Sequence, residues 1–338
     1  TTTGGMSIDR THRPASRAAV GGFLISGLIK NINKRNIDVM LDTTATEIIM
    51  EDERVVAVRI KNEEGELQTI KTKAVIVATG GFGANPQIIT HYRPDLANIV
   101  TTNHKGATGS GIKLLQHIGA DTVDMAEIQI HPTVEQKSAY LISESIRGGG
   151  AILISKTGKR FVNELDTRDK VSQEIRSLPE QYAYILFDEQ VRKENKAVEE
   201  YLAHNLITEA QNLNELAEKL DIDSNELITT IERFNQFVAK QHDDDFDRTT
   251  ALRHPINQAP YYGIQIAPGI HHTMGGVTIN TNTEVLNHQQ QTIQGAYAAG
   301  EVVGGVHGAN RIGGNAVADI IIFGIQAGTQ AAQYIKKR

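Results

Sequence analysis

The sequence predicts an α/β protein in which two separate stretches of chain form one domain and an α+β domain is inserted between them. Three observations lead to this prediction. Short β-rich runs precede an apolar segment, Ala74–Gly81, of the kind found in the core of an α/β sheet. Charged helical patterns dominate from about 133 to 267, and glycine-rich sequence returns from Pro268. The predicted domain boundaries are 1–132, 133–267 and 268–338.

Composition limits the class of protein. The chain has 338 residues, 40% of them hydrophobic and 22% charged, which is typical of a globular protein of about two domains. The net charge of −6 argues against wide non-specific nucleic-acid binding, but leaves room for a local basic pocket. The absence of cysteine excludes disulfides, thiolate metal sites and covalent CxxCH haem attachment. The twelve histidines show no metal-ligand spacing, so we expect no metal.

No apolar run reaches the ~18–20 residues needed to cross a bilayer, so we expect no membrane insertion. The longest candidate, Ala316–Ala327, is interrupted by Asp319 and predicts a buried helix. No signal peptide is visible, which favours a cytoplasmic location. The chain begins at Thr1 rather than at a methionine, so we expect a truncated or processed chain.

The first third of the chain predicts a helix, a β-meander and a core strand. Apolar residues recur at helical spacing within Arg13–Arg35. Turn sequences at Asp52–Arg54 and Glu63–Gly65 then separate short β-rich runs. The runs are Ile37–Leu41, Thr46–Met50, Val55–Ile60 and Leu67–Thr72. The segment Ala74–Gly81 follows and predicts a strand buried on both faces.

The middle and end of the chain predict helices. One is Asn212–Leu220, and another is Asn225–Lys240 with Ser224 as its N-cap. The apolar stripe of the second helix is Leu227, Ile228, Ile231, Phe234 and Val238. The acidic run His242–Asp245 predicts a solvated loop, and the last helix extends from about Asn315 to Lys336.

A glycine-rich segment, Gly300–Ala316, precedes this last helix. Glycines let the backbone approach a flat ligand closely. The start of the helix offers free N–H groups and the positive end of its dipole, which would suit the negative charge of a reduced flavin. Taken alone, however, the segment is explained better by a generic tight turn than by a ligand site.

Several motifs occur together in one order, and their combination is specific. They are Ser7–Pro14, Ala78–Phe82, Gly106–Gly109, His131–Thr133, Glu144–Gly148, Arg160–Asp169, Gly269–Gly276, Tyr297–Glu301 and His307–Arg311. With these motifs the chain resembles the fumarate reductase and flavocytochrome c family of FAD-dependent flavoproteins over essentially its whole length. The resemblance implies an incomplete Rossmann-like FAD-binding domain with a β-meander, and an inserted α+β capping (clamp) domain that closes over the substrate.

The resemblance also implies roles for charged residues. Arg168 matches the arginine proposed as general acid in the family, and Glu144 and Arg147 match its relay partners. Arginine is an unusual acid because its pKa lies above ~12. From the residues alone, a structural salt-bridge network is the favoured reading of this Arg–Glu–Arg set.

Five further positions match substrate contacts of the family: His131, Leu141, Ser143, His271 and Arg311. A guanidinium can hold a carboxylate through two parallel hydrogen bonds, and a histidine can donate a third. Leu141 stands where the family usually has methionine, and Ser143 where it usually has threonine. The resemblance therefore implies a small dicarboxylate substrate, fumarate or succinate. Taken singly, each histidine is explained better by a structural role than by a functional one.

The implied cofactor is FAD, and its implied contacts are Gly80, Gly81, Glu301, Arg311, Gly314, Asn315, Ala316 and Val317. Members of the family open their FAD-binding domain with a strand, a GxGxxG turn and a helix. This sequence starts downstream of that turn, and Gly80–Gly83 does not replace it. We therefore expect weakened or absent FAD binding by this chain alone.

The sequence thus predicts reduction of fumarate to succinate, with hydride from flavin N5 and a proton from an arginine. Two alternatives stay open. One is a flavin-dependent reductase of another unsaturated acid such as urocanate, or an oxidase-like relative. The other is a catalytically silent fragment without flavin. The electron donor cannot be predicted.

Overall fold

The structure is a computed structural model that describes residues 14–15 and 20–338, so the predicted motif Ser7–Pro14 lies, except for Pro14, outside the described residues. The helices are α1 (Val20–Lys34), α2 (Pro86–Tyr92), α3 (Ser110–His117), α4 (Glu144–Gly148), α5 (Arg168–Ser177), α6 (Glu189–Glu194), α7 (Ala197–Ala203), α8 (Leu213–Leu220), α9 (Ser224–Lys240) and α10 (Asn315–Lys336). The strands are β1 (Thr44–Glu51), β2 (Arg54–Lys61), β3 (Leu67–Lys71), β4 (Val75–Val77), β5 (Thr122–Val123), β6 (Ile128–Val134), β7 (Ile152–Ile154), β8 (Ala183–Asp188), β9 (Thr208–Ala210), β10 (Tyr261–Thr273), β11 (Gly276–Val277), β12 (Glu284–Leu286) and β13 (Thr292–Ala298).

A six-stranded mixed sheet joins the two ends of the described chain. Its order is β1-β2-β13-β12, with β3 beside β2 and β4 beside β13. The predicted meander forms its antiparallel part, β1 to β3. Strand β13 lies parallel to β4 and to β2, although it is more than 200 residues later in the sequence. Segments far apart in sequence therefore share one sheet, as the predicted two-piece domain requires.

A second sheet connects the inserted stretch with the site. Its order is β6-β10-β8-β7, with β9 beside β10. The first half of β10 pairs with β8 and β9, and its second half pairs with β6. This single 13-residue strand therefore runs from the core of the inserted stretch to His271 and His272.

Separate hydrophobic cores support these sheets. One core gathers residues between Ile48 and Ile128 together with residues between Ile270 and Val303. Two others lie wholly within 142–266 and pack on opposite sides of β8. The chain is thus a mixed α/β protein, and its domain boundaries remain a prediction. No described helix is long and apolar enough to cross a bilayer.

Most predicted elements are confirmed, including the last helix and the apolar stripe of α9. Two details of this region were wrong. The N-cap of α9 is Asp223, whose carboxylate accepts a hydrogen bond from the Glu226 amide, and Ser224 is already helical. The acidic run is a loop with His242, Asp244 and Asp245 exposed as predicted, but Asp243 is fully buried against Arg160.

Three predictions of burial or pairing also failed. Ile37–Leu41 forms no strand, and its five side chains are all exposed. The strand within Ala74–Gly81 is limited to Val75–Val77, and Ile76 is 41% exposed because no described element covers its face of the sheet. Helix α10 is not buried: Ile322 and Ile325 are 62% and 66% exposed. The residues were apolar as predicted, but no described element covers them.

Candidate active site

The centre of the site is a buried ion pair between two residues that each begin a helix. Arg168 is the first residue of α5 and Glu144 is the first residue of α4. Nε of Arg168 donates to Oε1 of Glu144 at 2.6 Å, and both side chains are more than 90% buried. Burial alone would raise the pKa of Glu144, but the Arg168 and Arg147 guanidiniums outweigh it and lower that pKa. Glu144 is therefore ionised at neutral pH.

Arg147 lies on the other side of Glu144. Its Nη2 is 3.8 Å from Oε1 of Glu144, and it is 1% exposed. Burial lowers the pKa of Arg147, while Glu144 and Glu164 oppose that shift. Nε and Nη2 have no hydrogen-bond partner in the part of the chain that the structure describes. The three predicted residues thus lie next to one another in space, with Glu144 in contact with both Arg168 and Arg147.

Gln129 joins Arg168 to Arg311, and the sequence motifs did not include it. Its Oε1 accepts from Nη1 of Arg168 at 2.8 Å and from Nη2 of Arg311 at 3.2 Å. Its Nε2 donates to the Asn310 side chain and to the Arg311 carbonyl. One buried amide therefore holds two cations next to each other. Gln129 lies two residues before His131 on β6, so strand alternation was the available signal that both face the site.

Two histidines lie beside the ion pair. The ring centroids of His131 and His271 are 5.4 Å apart, and a register shift in β10 leaves His271 without a paired residue on β6. Burial, followed by the charge of Arg168, lowers the pKa of both rings, that of His271 to about 3. Both are neutral at pH 7.

The tautomer of His131 follows from its neighbours. The Thr133 amide donates to Nδ1 at 3.3 Å, so Nδ1 is an acceptor and the proton lies on Nε2. Nε2 is buried and has no hydrogen-bond partner within the described residues. It lies 3.9 Å from Oε1 of Glu144, beyond hydrogen-bond range. An N–H donor is therefore free to meet a carboxylate.

A second group of predicted residues surrounds Glu301. Oε1 of Glu301 accepts from the Thr273 amide at 2.8 Å and from its hydroxyl at 3.2 Å. Burial raises the pKa of this carboxyl. Gly81 is packed against the pair, since a Cβ at Gly81 would overlap Oγ1 of Thr273 and lie 2.8 Å from Oε1 of Glu301. Gly80 has open space beside it and a positive φ of 76°.

The glycine-rich loop and α10 form a third group. Gly314 precedes Asn315, Ala316 and Val317, has φ 89°, and supplies no side-chain cap to the first turn of α10. A Cβ at Gly313 would lie 2.9 Å from Oε2 of Glu144 and 3.0 Å from Nη2 of Arg168. The loop therefore lies directly against the central ion pair.

These three groups fit a flavin cofactor. The start of the 22-residue α10 offers uncapped N–H groups, and space is open beside Gly80, Gly308 and Gly314. Nε of Arg311 is buried without a hydrogen-bond partner among the described residues, and burial lowers the pKa of Arg311 to about 10. Among the described residues, no group of three or more His, Asp or Glu side chains could hold a metal ion.

Two predicted substrate residues are less directly placed. The Ser143 hydroxyl accepts from the amide and the hydroxyl of Ser145 and so serves as the N-cap of α4, while the Ser143 amide donates to the Tyr201 hydroxyl. Leu141 is half-buried and pairs with Val134 through an isolated bridge. Neither hydrogen-bonds to the Arg168–Glu144 pair, and both flank the chain segment that leads into it.

The fold and the site together define a mixed α/β flavoprotein with a buried arginine–carboxylate centre beside its cofactor loop. A model of the FAD binding domain family matches residues 1–317, and the chain belongs to that family. FAD is thus the cofactor of this fold.

Named relatives narrow the similarity to fumarate reductase flavoproteins. The chain is 65% identical over 333 residues to the NADH:fumarate oxidoreductase of Klebsiella pneumoniae, covering 98% of this chain and 36% of that protein. It is 42% identical over 335 residues to a fumarate reductase (cytochrome) of Shewanella frigidimarina, covering 99% and 58%. The open conformation of a flavocytochrome c3 fumarate reductase matches with a TM-score of 0.81 and 40% identity, covering 98% of this chain and 59% of that one. The chain thus spans about a third to three-fifths of the length of these relatives.

Proposed function

We propose that this chain carries the substrate site and part of the FAD site of an FAD-dependent fumarate reductase. The observation that carries the proposal is the convergence of Arg168, Glu144, Arg311 and two neutral histidines around one buried position. The named relatives, two of them fumarate reductases and one an NADH:fumarate oxidoreductase, support the same reaction. The domain boundaries 1–132, 133–267 and 268–338 belong to the proposal, with the middle domain acting as a clamp. Their support is that two hydrophobic cores lie within 142–266 and two others join residues of the first and last stretches.

The substrate carboxylates would be bound by the positive charge of an arginine and by N–H donors of neutral histidines. Arg311 is held by Gln129 and keeps its buried Nε free, so it can grip one carboxylate of fumarate. The Nε2–H of His131 can donate to the other, and His271 lies beside it. Placed donors that polarise a carboxylate make the neighbouring double bond a better hydride acceptor. Leu141 and Ser143 would form the wall on the clamp side.

The proton would come from Arg168. Its Nε is engaged by Glu144 and one N–H of Nη1 by Gln129, so the second N–H of Nη1 and the two of Nη2 remain among these contacts to face the substrate. When bound, reduced FAD supplies the hydride to one alkene carbon. Arg168 supplies the proton to the other carbon, giving succinate, and regains a proton from Arg147 through Glu144. Because Arg168, Glu144 and Arg147 are buried, water that would otherwise compete for the proton is excluded.

Cofactor contacts would come from Glu301, Arg311, Gly80, Gly81 and the start of α10 at Gly314–Val317. We expect this chain to hold FAD weakly, because isoleucines of α10, the helix whose first turn carries part of these contacts, stay exposed among the described residues.

The test begins with the visible absorption spectrum of the purified chain, with and without added FAD, after desalting. The flavin-loaded protein is then photoreduced without oxygen and mixed with fumarate. Formation of one succinate per flavin reoxidised supports the proposal. Reoxidation by urocanate or methacrylate but not by fumarate would show that the substrate is another unsaturated acid. If none of these acids reoxidises the flavin, the proposal is wrong and the chain is a catalytically silent protein.

A further inference from the structure

A second buried ion cluster lies in the inserted stretch, on the side of Arg147 away from Glu144. We call Arg160, Glu164, Asp243 and Arg248 the rear cluster. Arg160 donates to both oxygens of Glu164, at 2.7 and 2.9 Å, and to Oδ2 of Asp243 at 2.7 Å. Arg248 donates to Oε2 of Glu164 at 2.9 Å. All four side chains are at most 4% exposed.

Arg248 is fully satisfied in this cluster. Its five N–H groups have five acceptors, which are the carbonyls of Ala151, Thr250, Ala251 and Arg147 and the carboxylate of Glu164. The rings of Phe234 and Phe246 lie 5.1 Å from the Arg160 guanidinium, and Phe234 also lies 5.4 Å from that of Arg248. The rear cluster is therefore held rigidly by hydrogen bonds and aromatic packing.

Two hydrogen bonds, one to Glu164 and one from Arg248, connect the rear cluster to Arg147. Nη1 of Arg147 donates to the Glu164 carbonyl at 2.5 Å, and Nη2 of Arg248 donates to the Arg147 carbonyl at 3.3 Å. These bonds fix both ends of Arg147. Its Nη2 is then directed toward Glu144, 3.8 Å away. Of the three residues Arg168, Glu144 and Arg147, only Arg147 has hydrogen bonds to the rear cluster among the described contacts.

The charges around Arg147 also depend on the rear cluster. The groups that act on Arg147 are Glu144, Arg168, Glu164 and Arg248, with His131 nearby. Burial, then Arg168 and Arg248, lower the pKa of Arg147, while Glu144 and Glu164 raise it. Glu164 is itself ionised, because Arg160 and Arg248 outweigh its burial and hold its pKa at about 2. Removing its charge would lower the pKa of Arg147 further.

We infer that Glu164 is a positioning residue for proton delivery: the rear cluster holds Arg147 in place so that Arg147 can reprotonate Arg168 through Glu144. The inference rests on the proposed function. It assigns a role to four buried charged residues that do not touch the substrate position.

The experiment uses the full-length FAD-loaded protein with Glu164→Gln, Arg147→Ala and the double variant. We expect Glu164→Gln to lower kcat for fumarate about tenfold, as part of the 10²–10⁴-fold typical of general acid catalysis, with KM nearly unchanged. The alkaline limb of the kcat–pH profile should move to lower pH, because Arg147 must stay protonated. In the Arg147→Ala background, Glu164→Gln should cost no further activity. An equal, independent loss in both backgrounds would overturn the inference.

Asp188→Asn is the matched control. Asp188 is a buried carboxylate of the same stretch that caps α6 and accepts from the Asn257 and Gln258 amides. This change should lower Tm without moving the pH profile. If Glu164→Gln does not fold, Asp243→Asn takes its place, because it keeps the Arg160–Glu164 contacts. We expect it to shift the alkaline limb of the kcat–pH profile by less than Glu164→Gln would. An unshifted limb would contradict the inference.

A second readout does not depend on turnover. In protein with ¹⁵N-labelled arginine, hydrogen exchange of the Arg147 guanidinium should be slow in the parent and in Asp188→Asn, and at least about tenfold faster in Glu164→Gln, because local opening limits exchange of buried N–H groups. Unchanged exchange in Glu164→Gln would overturn the link between the rear cluster and Arg147. If the parent reduces no fumarate, the proposed function is wrong, and the exchange rates still decide the positioning link.

Discussion

The Oε1 atom of Gln129 lies 2.8 Å from Nη1 of Arg168 and 3.2 Å from Nη2 of Arg311. A neutral acceptor thus keeps the proposed proton donor next to the proposed carboxylate anchor, although the two guanidiniums repel each other. Because the bridge is uncharged, both arginines retain the positive charge that a dicarboxylate needs.

Gln129→Glu tests this balance. The new carboxylate would form ion pairs with both arginines and oppose the charge of the substrate, so we expect the Kd for fumarate or succinate to rise by about tenfold or more, the factor that corresponds to about 1.4 kcal/mol. Isothermal titration measures it. Gln173→Glu makes the same change at an exposed position of α5 and should leave the Kd within about twofold. Equal affinities in both variants would contradict the role of Gln129.

Gly81→Ala tests the packing around Glu301. The added Cβ would overlap the Thr273 hydroxyl, so the Glu301–Thr273 pair must move. We expect a loss of about 1–3 kcal/mol in the free energy of unfolding and weaker FAD binding. Gly328→Ala is the opposite case in α10, where a Cβ meets nothing within 4 Å, and should gain about 0.5–1 kcal/mol. Urea unfolding and flavin fluorescence titration measure both. A Gly81→Ala protein of unchanged stability would show that this packing is wrong.

Acid should weaken the fold through its buried histidines. His131, His271 and His272 have lowered pKa values in the folded state, whereas an unfolded histidine titrates near 6.5. As pH falls below about 6.5, the unfolded chain takes up protons that the folded chain does not. Stability should therefore fall by roughly 1.4 kcal/mol per pH unit for each such histidine between about pH 6 and 5.

Urea unfolding at several pH values measures this slope. His131→Gln should reduce the slope of stability against pH by the contribution of one histidine. His117→Gln, an exposed change on α3, should leave it as it is in the parent. Glu144 and Glu164, whose pKa values are lowered in the folded state, also reduce stability as pH falls, but only below about pH 4.5. They therefore do not explain a loss of stability between about pH 6 and 5. A slope that His131→Gln does not alter would contradict a neutral buried His131.

Much of the fold could be predicted because local patterns determine it. The meander turns and the stripe of α9 follow from turn residues and apolar spacing within a few positions, and α10 begins at Asn315 directly after a glycine-rich segment. Burial was less predictable, because an apolar residue is buried only when another element covers it. Ile76 and the isoleucines of α10 have no such cover among the described residues.

Parts of the site were beyond local reasoning for a similar reason. Asp243 belongs to an acidic run, but its partner Arg160 lies 83 residues earlier, and only the fold brings them together. Gln129 belongs to no motif and carries no charge, so nothing marked it except its place two residues before His131. The motif residues Arg168, Glu144 and Arg147 are brought together as the family resemblance implied, whereas their roles remain a proposal.

Arg168→Ala tests the central claim most directly. The flavin-loaded full-length protein is photoreduced and mixed with fumarate in a stopped-flow spectrometer, and flavin reoxidation is followed at 450 nm, near the flavin absorption maximum. Loss of the proton donor should slow reoxidation at least about 100-fold. Arg176→Ala, near the other end of α5, should react at the parent rate. If Arg168→Ala binds FAD and reacts at a near-normal rate, Arg168 is not the proton donor and the proposed mechanism is wrong.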